Sequence, residues 1–309
     1  MGRRKKGRAI SGWINLDKPY ELGSTGAVNK IRHLFDARKA GHAGTLDPLA
    51  TGILPIALGE ATKTVSFMQH AEKSYRVEMT LGAATNTDDI EGEVIASSAQ
   101  RPDTAEIEAA LSCFTGDIQQ VPPQFSAIRV DGQRAYKAAR AGETVELTAR
   151  LVRIDAIRLI ARPDADTAVL EVDCGKGTYI RSLIRDLARH LGTYAHVGNL
   201  RRTRVGPFDE KNALGLDKLT HLGHYAPDLA ALDACLLPLV TALDDIPALA
   251  ISADAASRIR QGQAISSQSP HEGTVLLTCD GQPVALGEAD LGNDIATSEV
   301  IRPVRVFNL

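Results

Sequence analysis

The sequence lacks the long apolar segment that a membrane-spanning helix requires. Although 44% of the 309 residues are hydrophobic, no apolar run approaches the roughly 20 residues that cross a bilayer. Five of the first eight residues are basic, but no apolar core of signal-peptide length follows them. We therefore predict a cytoplasmic protein without membrane association, and we interpret residues 1–11 as a basic, disordered arm.

Cysteine is scarce, and its four positions are far apart. The cysteines are Cys113, Cys174, Cys235 and Cys279. They form neither a CxxC pair nor a cluster with histidine, which argues against a zinc site and against a disulfide framework. We therefore expect a protein of a reducing compartment that holds no metal. Internal repeats and low-complexity tracts are also missing from the sequence.

The net charge of −3 is small but unevenly distributed. Residues 1–89 carry 13 basic and 9 acidic side chains, residues 90–223 carry 18 of each, and residues 224–309 carry 4 basic and 11 acidic ones. A polyanion is therefore expected to bind the first two thirds of the chain, where LRRTR at 200–204 is a local cluster of arginines. A solvated basic surface is the alternative interpretation.

One carboxylate, Asp47, lies among small residues in the stretch GHAGTLDPLATG at 41–52. Glycine permits left-handed backbone and the close approach of another chain, whereas Pro48 biases the residue before it toward extended geometry. We therefore predict a stiffly held loop that another chain or a ligand can approach closely. For an isolated Asp-Pro pair a simple turn would be the default interpretation, so the rest of the chain must decide.

Hydrophobic periodicity divides the chain into helices and strands. Helical spacing predicts helices at 24–39, near 60–70, at 103–116 and at 178–191. Alternating and apolar segments predict strands at 73–82, near 150–160 and near 167–174. The expected N-caps are Ser24 or Thr25 for the first helix and Thr178 for the last. Arginines at four-residue intervals predict a basic edge on the last helix, at Arg181, Arg185 and Arg189.

The mixture of elements indicates an α+β fold whose sheet is mixed and largely antiparallel, because helices and strands do not alternate as regular βαβ units. We predict the main domain at 12–240. Composition then shifts toward Leu, Ala, Asp and Pro over 224–247. Asp280-Gly281 between two apolar segments is typical of a β-hairpin, so a small C-terminal β domain is predicted at 247–309.

Five sequence blocks resemble the bacterial tRNA pseudouridine-55 synthases, the stand-alone B-type pseudouridine synthases. In order along the chain they are GWINLDKP (12–19), AGHAGTLDPLATGILPIALGEATK (40–63), KSYRVEMTLGAATNTDD (73–89), PPQFSAIRVDGQRAYKAARAG (122–142) and CGKGTYIRSLIRDLARHLG (174–192). The resemblance spans most of 12–205. It implies a catalytic domain of pseudouridine synthase type at 12–240 and a C-terminal domain similar to PUA modules.

The resemblance implies an isomerase that converts uridine 55 in the T-loop of tRNA to pseudouridine by base flipping, without a cofactor. Asp47 is the implied nucleophile, and Arg181 is its implied partner. Tyr75 is expected to stack on the flipped base and to help remove the C5 proton. His42 is expected to fill the space left by that base or to contact the neighbouring loop. Further residues implied to line the base pocket are Tyr179 and Leu200.

The implied partner is the T-arm stem-loop of tRNA, bound by a monomer that needs no protein partner. The residues expected to contact RNA are Arg201, Arg202 and Arg204. Three alternatives remain open. A non-catalytic RNA-binding or RNA-folding protein on the same scaffold would not need Asp47, and a guide-RNA-dependent relative is also conceivable. A glycoside hydrolase usually needs two carboxylates about 5–10 Å apart, and the sequence offers no obvious second one.

Overall fold

The computed structural model describes residues 7–126, 129–130, 133–134, 146–225, 229–267, 272–290 and 299–309. Residues 1–6 of the predicted arm and much of the sequence block at 122–142 lie outside the described residues. Among the described helices, none is long and apolar enough to cross a membrane.

The larger part of the chain contains fourteen described strands and six described helices. The strands are β1 (Gly12–Lys18), β2 (Ala40–His42), β3 (Thr51–Leu58), β4 (Lys73–Leu81), β5 (Ala83–Thr85), β6 (Val94–Ser97), β7 (Gly116–Gln120), β8 (Arg129–Val130), β9 (Gln133–Arg134), β10 (Arg150–Ala161), β11 (Thr167–Cys174), β12 (Ala195–Val205), β13 (Phe208–Asp209) and β14 (Leu214–Gly215). The helices are α1 (Ser24–Leu34), α2 (Val65–His70), α3 (Thr104–Leu111), α4 (Ile180–His190), α5 (Leu216–Tyr225) and α6 (Ala230–Asp233). Short 3₁₀ turns occur at Gly59–Lys63, Ser112–Phe114, Glu210–Asn212 and Leu239–Leu243.

Ten of these strands form one sheet in the order β14-β1-β3-β12-β4-β11-β10-β7, with β2 beside β3 and β13 beside β12. The pairings of β1 with β14 and of β3 with β12 are parallel, and the other described pairings in this sheet are antiparallel. The predicted α+β class with a mixed, largely antiparallel sheet is therefore confirmed.

Strand β4 lies at the centre of the sheet, between β11 and β12. Its odd-numbered residues are buried and its even-numbered residues are partly or fully exposed, as the alternation in the sequence predicted. Tyr75, Val77, Met79 and Leu81 all join one core with apolar residues of α3 and α4. The buried face of β4 thus brings Tyr75 to the same side of the sheet as α4.

Three of the predicted helices differ from the observed ones at their ends. The first ends at Leu34, because Asp36 adopts a left-handed backbone with φ 46°. The third has the predicted capping box of Asp103 and Glu106 but gives way to a 3₁₀ turn after Leu111. The last begins at Ile180, and Thr178 is not its N-cap, because its hydroxyl donates to a carbonyl of the preceding loop at 3.3 Å.

The predicted disordered arm is wrong for its described part, which packs against the main domain. The Arg8 N–H donates to the Asp36 carbonyl at 2.6 Å, and the Arg8 carbonyl accepts from the Arg38 N–H at 3.2 Å. The Arg8 guanidinium forms an ion pair with Asp233 in α6. These partners neutralise one of the basic side chains of the arm and hold the backbone where it enters β1.

The described residues of the C-terminal part form a second, five-stranded sheet and one helix. Its elements are β15 (Ala248–Ala250), α7 (Ala253–Arg260), β16 (Ile265–Ser267), β17 (Gly273–Cys279), β18 (Gln282–Asp290) and β19 (Glu299–Val306), in the sheet order β15-β17-β18-β19-β16. The predicted hairpin is the β17–β18 pair. Asp280 and Gly281 both have positive φ, 51° and 74°, as the tight turn between two twisted strands requires.

The two sheets share an apolar cluster. Trp13 of β1, Leu286 of β18 and Phe307 are all buried in it, together with side chains of the 3₁₀ turn at Leu239–Leu243. Lys63 Nζ donates to the Val306 carbonyl at 2.7 Å. The C-terminal sheet is therefore attached through buried apolar surface and not only through a linker.

Candidate active site

A cavity of about 320 Å³ opens beside Asp47, at the lower end of the roughly 300–1,000 Å³ typical of small-molecule sites. Its lining combines most of the residues predicted for the site with three cations that were not predicted to line it. The predicted residues are Asp47, Tyr75, Tyr179, Arg181 and Leu200, and the three additional cations are Lys73, Lys176 and Arg202. His42 does not line this cavity, because it lies in β2 where its backbone pairs with Ile56 of β3.

The backbone on the N-terminal side of Asp47 is held by a buried hydroxyl. Ser24 Oγ donates to the Leu46 carbonyl at 2.8 Å and accepts from the Leu46 N–H at 2.8 Å. Ser24 is therefore not the helix cap that the sequence suggested; Gly23 occupies the cap position, and the hydroxyl satisfies both polar groups of a loop residue instead. The start of α1 thus sets the position of the residue that precedes Asp47.

Two buried cations hold the rest of this loop. Arg202 Nε donates to the Ile53 carbonyl at 2.7 Å, while its two terminal nitrogens lie 3.3 Å from the carbonyls of Gly44 and Thr45. Lys18 Nζ donates to the Pro48 carbonyl at 3.2 Å. Contacts on both sides of Asp47 therefore restrict its backbone, in accordance with the prediction of a stiffly held loop.

One glycine of the loop, Gly52, is closely approached by another segment of the protein. Gly52 has φ +99°, and a Cβ at this position would lie 2.2 Å from the Arg202 carbonyl. The chain that approaches Gly52 closely is therefore β12 of the same protein, and not RNA. Gly44 also has positive φ, +103°, but a Cβ there would meet no atom nearer than 3.8 Å, so its backbone conformation alone favours glycine.

Asp47 and Arg181, which the resemblance paired, lie in contact. Arg181 Nη2 is 3.0 Å from Asp47 Oδ2. The carboxylate side chain is 42% exposed, whereas the arginine side chain is only 7% exposed. The pair therefore consists of an accessible carboxylate and a buried guanidinium that fixes its orientation.

A second carboxylate, Asp89, lies against the same guanidinium and was missed by the sequence analysis. Arg181 Nη1 is 3.4 Å from Asp89 Oδ2 and donates to the Thr87 carbonyl at 2.9 Å. The sequence analysis, which found no obvious second carboxylate, overlooked Asp89, although the adjacent acids at the end of the block at 73–89 were a signal. Asp89 is largely buried and does not line the main cavity, so it is poorly placed for the second carboxylate role in a glycoside hydrolase.

Burial has the largest effect on the pKa values of several residues that line the cavity or lie close to it. It raises the pKa values of Tyr75 and Tyr179, so both hydroxyls are protonated at neutral pH. It lowers the pKa values of Lys18 and Lys73 to about 8, although the charge of Asp47 opposes this change at Lys18. Burial also raises the pKa of the Cys174 thiol to about 12, so this cysteine is not a nucleophile at neutral pH.

The predicted basic edge of α4 is not a continuous cationic surface. Arg181 is neutralised by Asp47 and Asp89, and Arg185 is paired with Asp88 and with Asp186. Arg189 is exposed. Only the last of the three arginines therefore matches the predicted solvent-facing edge.

The three arginines predicted to contact RNA differ from one another. Arg202 is 1% exposed and donates to loop carbonyls, so it presents almost no outer surface to RNA, and its predicted RNA contact stays a prediction. Arg201 pairs with Asp17 at 2.9 Å and also with Glu210. Arg204 lies 3.2 Å from Ser74 Oγ and 3.4 Å from a carboxylate oxygen of Glu72.

Within the described part of the chain, no group of three or more His, Cys, Asp or Glu side chains is arranged to hold a metal ion. The cavity instead presents an accessible carboxylate, Asp47, in contact with buried Arg181 and close to two tyrosines of the lining, Tyr75 and Tyr179.

Comparison with known proteins matches three consecutive segments of the chain to domain models of one family. Residues 32–180 match the model of the TruB family pseudouridylate synthase N-terminal domain, residues 181–244 match the tRNA pseudouridylate synthase B C-terminal domain, and residues 247–307 match the pseudouridine synthase II TruB C-terminal model. A tRNA pseudouridine synthase B of Caulobacter sp. (strain K31) is 51% identical over 320 residues, covering 100% of each chain. That of Roseobacter denitrificans is 52% identical over 311 residues, covering 100% of this chain and 99% of its own.

Two solved structures of multi-component complexes contain chains with a similar fold. A chain in the crystal structure of a Cbf5-Nop10-Gar1 complex has 26% identity and a TM-score of 0.73, with 96% of this chain and 84% of that chain covered. A chain of an H/ACA ribonucleoprotein bound to a substrate RNA containing 2′-deoxyuridine has 24% identity and a TM-score of 0.75, with 100% and 92% covered. The second of these likenesses concerns the fold alone.

Proposed function

The chain belongs to the TruB family of pseudouridylate synthases, and from this premise we propose that it converts uridine 55 in the T-loop of tRNA to pseudouridine, with Asp47 as the catalytic carboxylate. Membership of this family makes the chain an isomerase that acts on uridine in tRNA. The observation that carries the finer proposal is the accessible Asp47 carboxylate, which lies 3.0 Å from buried Arg181 at the wall of the cavity.

The reaction breaks the bond between C1′ and N1, turns the uracil while it stays bound, and joins C1′ to C5. The hydrogen on C5 leaves and N1 gains one, so product and substrate have the same composition and no redox or energy source is required. An ionised carboxylate serves such a reaction by stabilising positive charge at C1′ or by bonding covalently to the substrate. Asp47 is the cavity carboxylate that is both exposed and fixed in position.

Arg181 gives Asp47 the properties that this role requires. A guanidinium in contact with a carboxylate forms directional, charge-assisted hydrogen bonds that restrict its orientation. Because the flanking backbone is also held, by Ser24 at Leu46 and by Lys18 at Pro48, little reorganisation is needed when the substrate arrives. The held loop thus contributes to the reaction through positioning.

The cavity is suited to a base that has left its stack. Enzymes that act on a base inside folded RNA extrude it and hold it against aromatic side chains. Tyr75 and Tyr179 both line the cavity, with Leu200 as an apolar neighbour. The Tyr75 hydroxyl is protonated at rest because burial raises its pKa, and the positive charge of Arg202 opposes that effect. In our proposal Tyr75 takes part in C5 proton removal, with Arg202 stabilising negative charge on the phenol oxygen.

We further propose that the enzyme acts as a cytoplasmic monomer without a cofactor or an obligate protein partner. Isomerisation is intramolecular and needs no second reactant. The alternative of a non-catalytic RNA-binding protein is less favoured. RNA is a polyanion, so a carboxylate held at the cavity would weaken binding unless it also served the reaction.

The proposed function is tested with tRNA that carries tritium at C5 of uridine. Formation of the C1′–C5 bond releases this tritium to water, and mapping of the product identifies the modified position. The control is the same tRNA with cytidine at position 55. We expect release from the first substrate and none attributable to the T-loop from the second. Release that maps to another position, or that persists unchanged with cytidine 55, would overturn the assignment of the target.

A further inference from the structure

The guanidinium of Arg181 contacts two backbone segments in addition to Asp47. On the loop between β5 and β6, Nη1 donates to the Thr87 carbonyl at 2.9 Å and lies 3.4 Å from Asp89 Oδ2. On the segment after β7, Nη2 donates to the Phe125 carbonyl at 3.0 Å. The direction in which Arg181 faces its catalytic partner therefore depends on the positions of these two segments.

One turn further along α4, Arg185 holds the same two segments. Its Nη1 is 3.0 Å from Asp88 Oδ2 on the first segment, and its Nη2 donates to the Val121 carbonyl on the second at 2.8 Å. Ser182 Oγ donates to the same carbonyl at 2.8 Å. Residues four apart lie on one face of a helix, so Arg181 and Arg185 make parallel connections from α4 to both segments.

Asp88 has a backbone conformation that needs support. Its φ of +61° lies in the left-handed region, which non-glycine residues rarely occupy unless their surroundings hold them there. The Asp88 carbonyl accepts from the Val197 N–H of β12 at 3.0 Å. The side chains of Asp88 and Arg185 are 13% and 12% exposed, so removal of either one leaves a largely buried charge without this partner.

We propose that Asp88 and Arg185 form a positioning pair for the chemical step. The pair fixes the loop between β5 and β6 and the segment after β7, and through them it orients Arg181 toward Asp47. This inference rests on the proposed role of Asp47. Neither Asp88 nor Arg185 lines the cavity, so their loss is expected to slow the reaction of bound tRNA without weakening binding to a similar extent.

The test compares single-turnover tritium release at saturating enzyme with tRNA affinity. Asp88→Asn and Arg185→Gln should each slow the single-turnover rate by about tenfold or more, while Kd for tRNA stays within about threefold of wild type. If the two residues act as a unit, the double variant should be hardly slower than the slower single variant. Arg185→Lys keeps the charge but not the forked geometry, so an intermediate rate is expected.

Arg101→Gln is the matched control, because Arg101 pairs with Asp166 and contacts neither of the two segments. Its rate should equal that of the wild type. Tm is measured for every variant, so that a loss of folding is not mistaken for a loss of rate. If Asp88→Asn or Arg185→Gln does not fold, the single-turnover rate of Arg185→Lys is compared with that of the wild type instead. Equal rates for these two proteins would overturn the proposal.

Three further results would also overturn the proposal: wild-type rates in both single variants, rate losses that multiply in the double variant, or a loss of affinity without a loss of saturated rate. Wild type and Asp47→Asn are measured in the same assay. An inactive wild type would refute the proposed function itself. An active wild type, an inactive Asp47→Asn and unaffected Asp88 and Arg185 variants would refute only the positioning pair.

Discussion

The two sides of β12 differ in how they use the same residue type. On the inner side, Arg202 is almost completely buried beside the cavity, with backbone carbonyls of the Asp47 loop as its partners. On the outer side, Arg201 and Arg204 have side chains that are 31% and 38% exposed and face carboxylates. A buried guanidinium must find acceptors for its donors, whereas a surface ion pair contributes little to stability and can exchange its partner.

This difference in burial and partners shows that the arginines of LRRTR at 200–204 do not form one basic surface patch. Strand geometry sends the neighbouring side chains of Arg201 and Arg202 to opposite faces, and a register shift between Arg202 and Arg204 places Arg204 opposite Ser74, on the outer side as well. The inner side should therefore govern the chemical step and the stability of the loop. The outer side should govern affinity for RNA. The following predictions test this division, beginning with the largest expected effect.

Asp47→Asn should abolish isomerisation, with turnover below about 1% of wild type and tRNA affinity within about tenfold. The amide has nearly the shape of the carboxylate but lacks its charge and its ability to form the covalent bond. Tritium release and filter binding of the same preparation measure the two quantities. Turnover that clearly exceeds this limit would remove Asp47 from the role of nucleophile.

Tyr75→Phe should lose most of the turnover while it retains tRNA binding, if the hydroxyl takes part in proton transfer. Tyr75→Leu should in addition weaken the binding of the flipped base by about 1–3 kcal/mol, because the stacking surface is lost. Single-turnover rates and binding constants of both variants separate the ring from the hydroxyl. Equally mild effects would mean that Tyr75 is only a core residue of β4.

Arg202→Gln should slow the single-turnover rate by about tenfold and lower the free energy of unfolding by about 1–3 kcal/mol, because buried loop carbonyls lose their donors. Arg201→Gln is the matched control on the outer side, and its effect on the saturated rate should be negligible. Denaturant unfolding and single-turnover release provide the measurements. The same response in both variants would remove the distinction between the two sides of the strand.

Arg201→Ala combined with Arg204→Ala should weaken tRNA binding and leave the saturated rate nearly unchanged. Each phosphate contact that is lost should flatten the log–log dependence of affinity on salt by about 0.7–0.9. Titrations at several salt concentrations measure this slope. An unchanged slope would show that the two arginines serve their carboxylate partners and not RNA.

Lys18→Met tests the other buried cation of the Asp47 loop, which donates to the Pro48 carbonyl, through the pH dependence of stability. The pKa of Lys18 is lowered to about 8 in the folded protein, from an ordinary value of 10.5. Between these values the unfolded chain binds more protons than the folded one, so the stability of wild type relative to Lys18→Met should rise as pH increases from 8 to 10.5. Urea unfolding of both proteins across this range measures the difference. If the difference in free energy of unfolding between the two proteins were constant over this range, burial would not lower the pKa of Lys18.

Local patterns in the sequence predicted much of the fold. The alternation in β4, the apolar stripe of α4 and the hairpin turn at Asp280-Gly281 all depend on residues close together in the chain. The α+β class followed from their irregular order. The association of Asp47 with Arg181 came from the family resemblance, because 134 residues separate the two and periodicity says nothing about so distant a pair.

The sequence by itself thus determined which elements form, which faces are apolar and to which family the catalytic blocks are similar. Only the tertiary structure decided the partners of the charged residues. Arg202 was predicted to contact RNA, yet the parallel pairing of β12 with β3 places it under a loop that lies about 150 residues earlier. Asp88 and Asp89 likewise became partners of α4 through the position of the β5–β6 loop. A charge acts according to its burial and its neighbours, and both depend on how distant segments pack together.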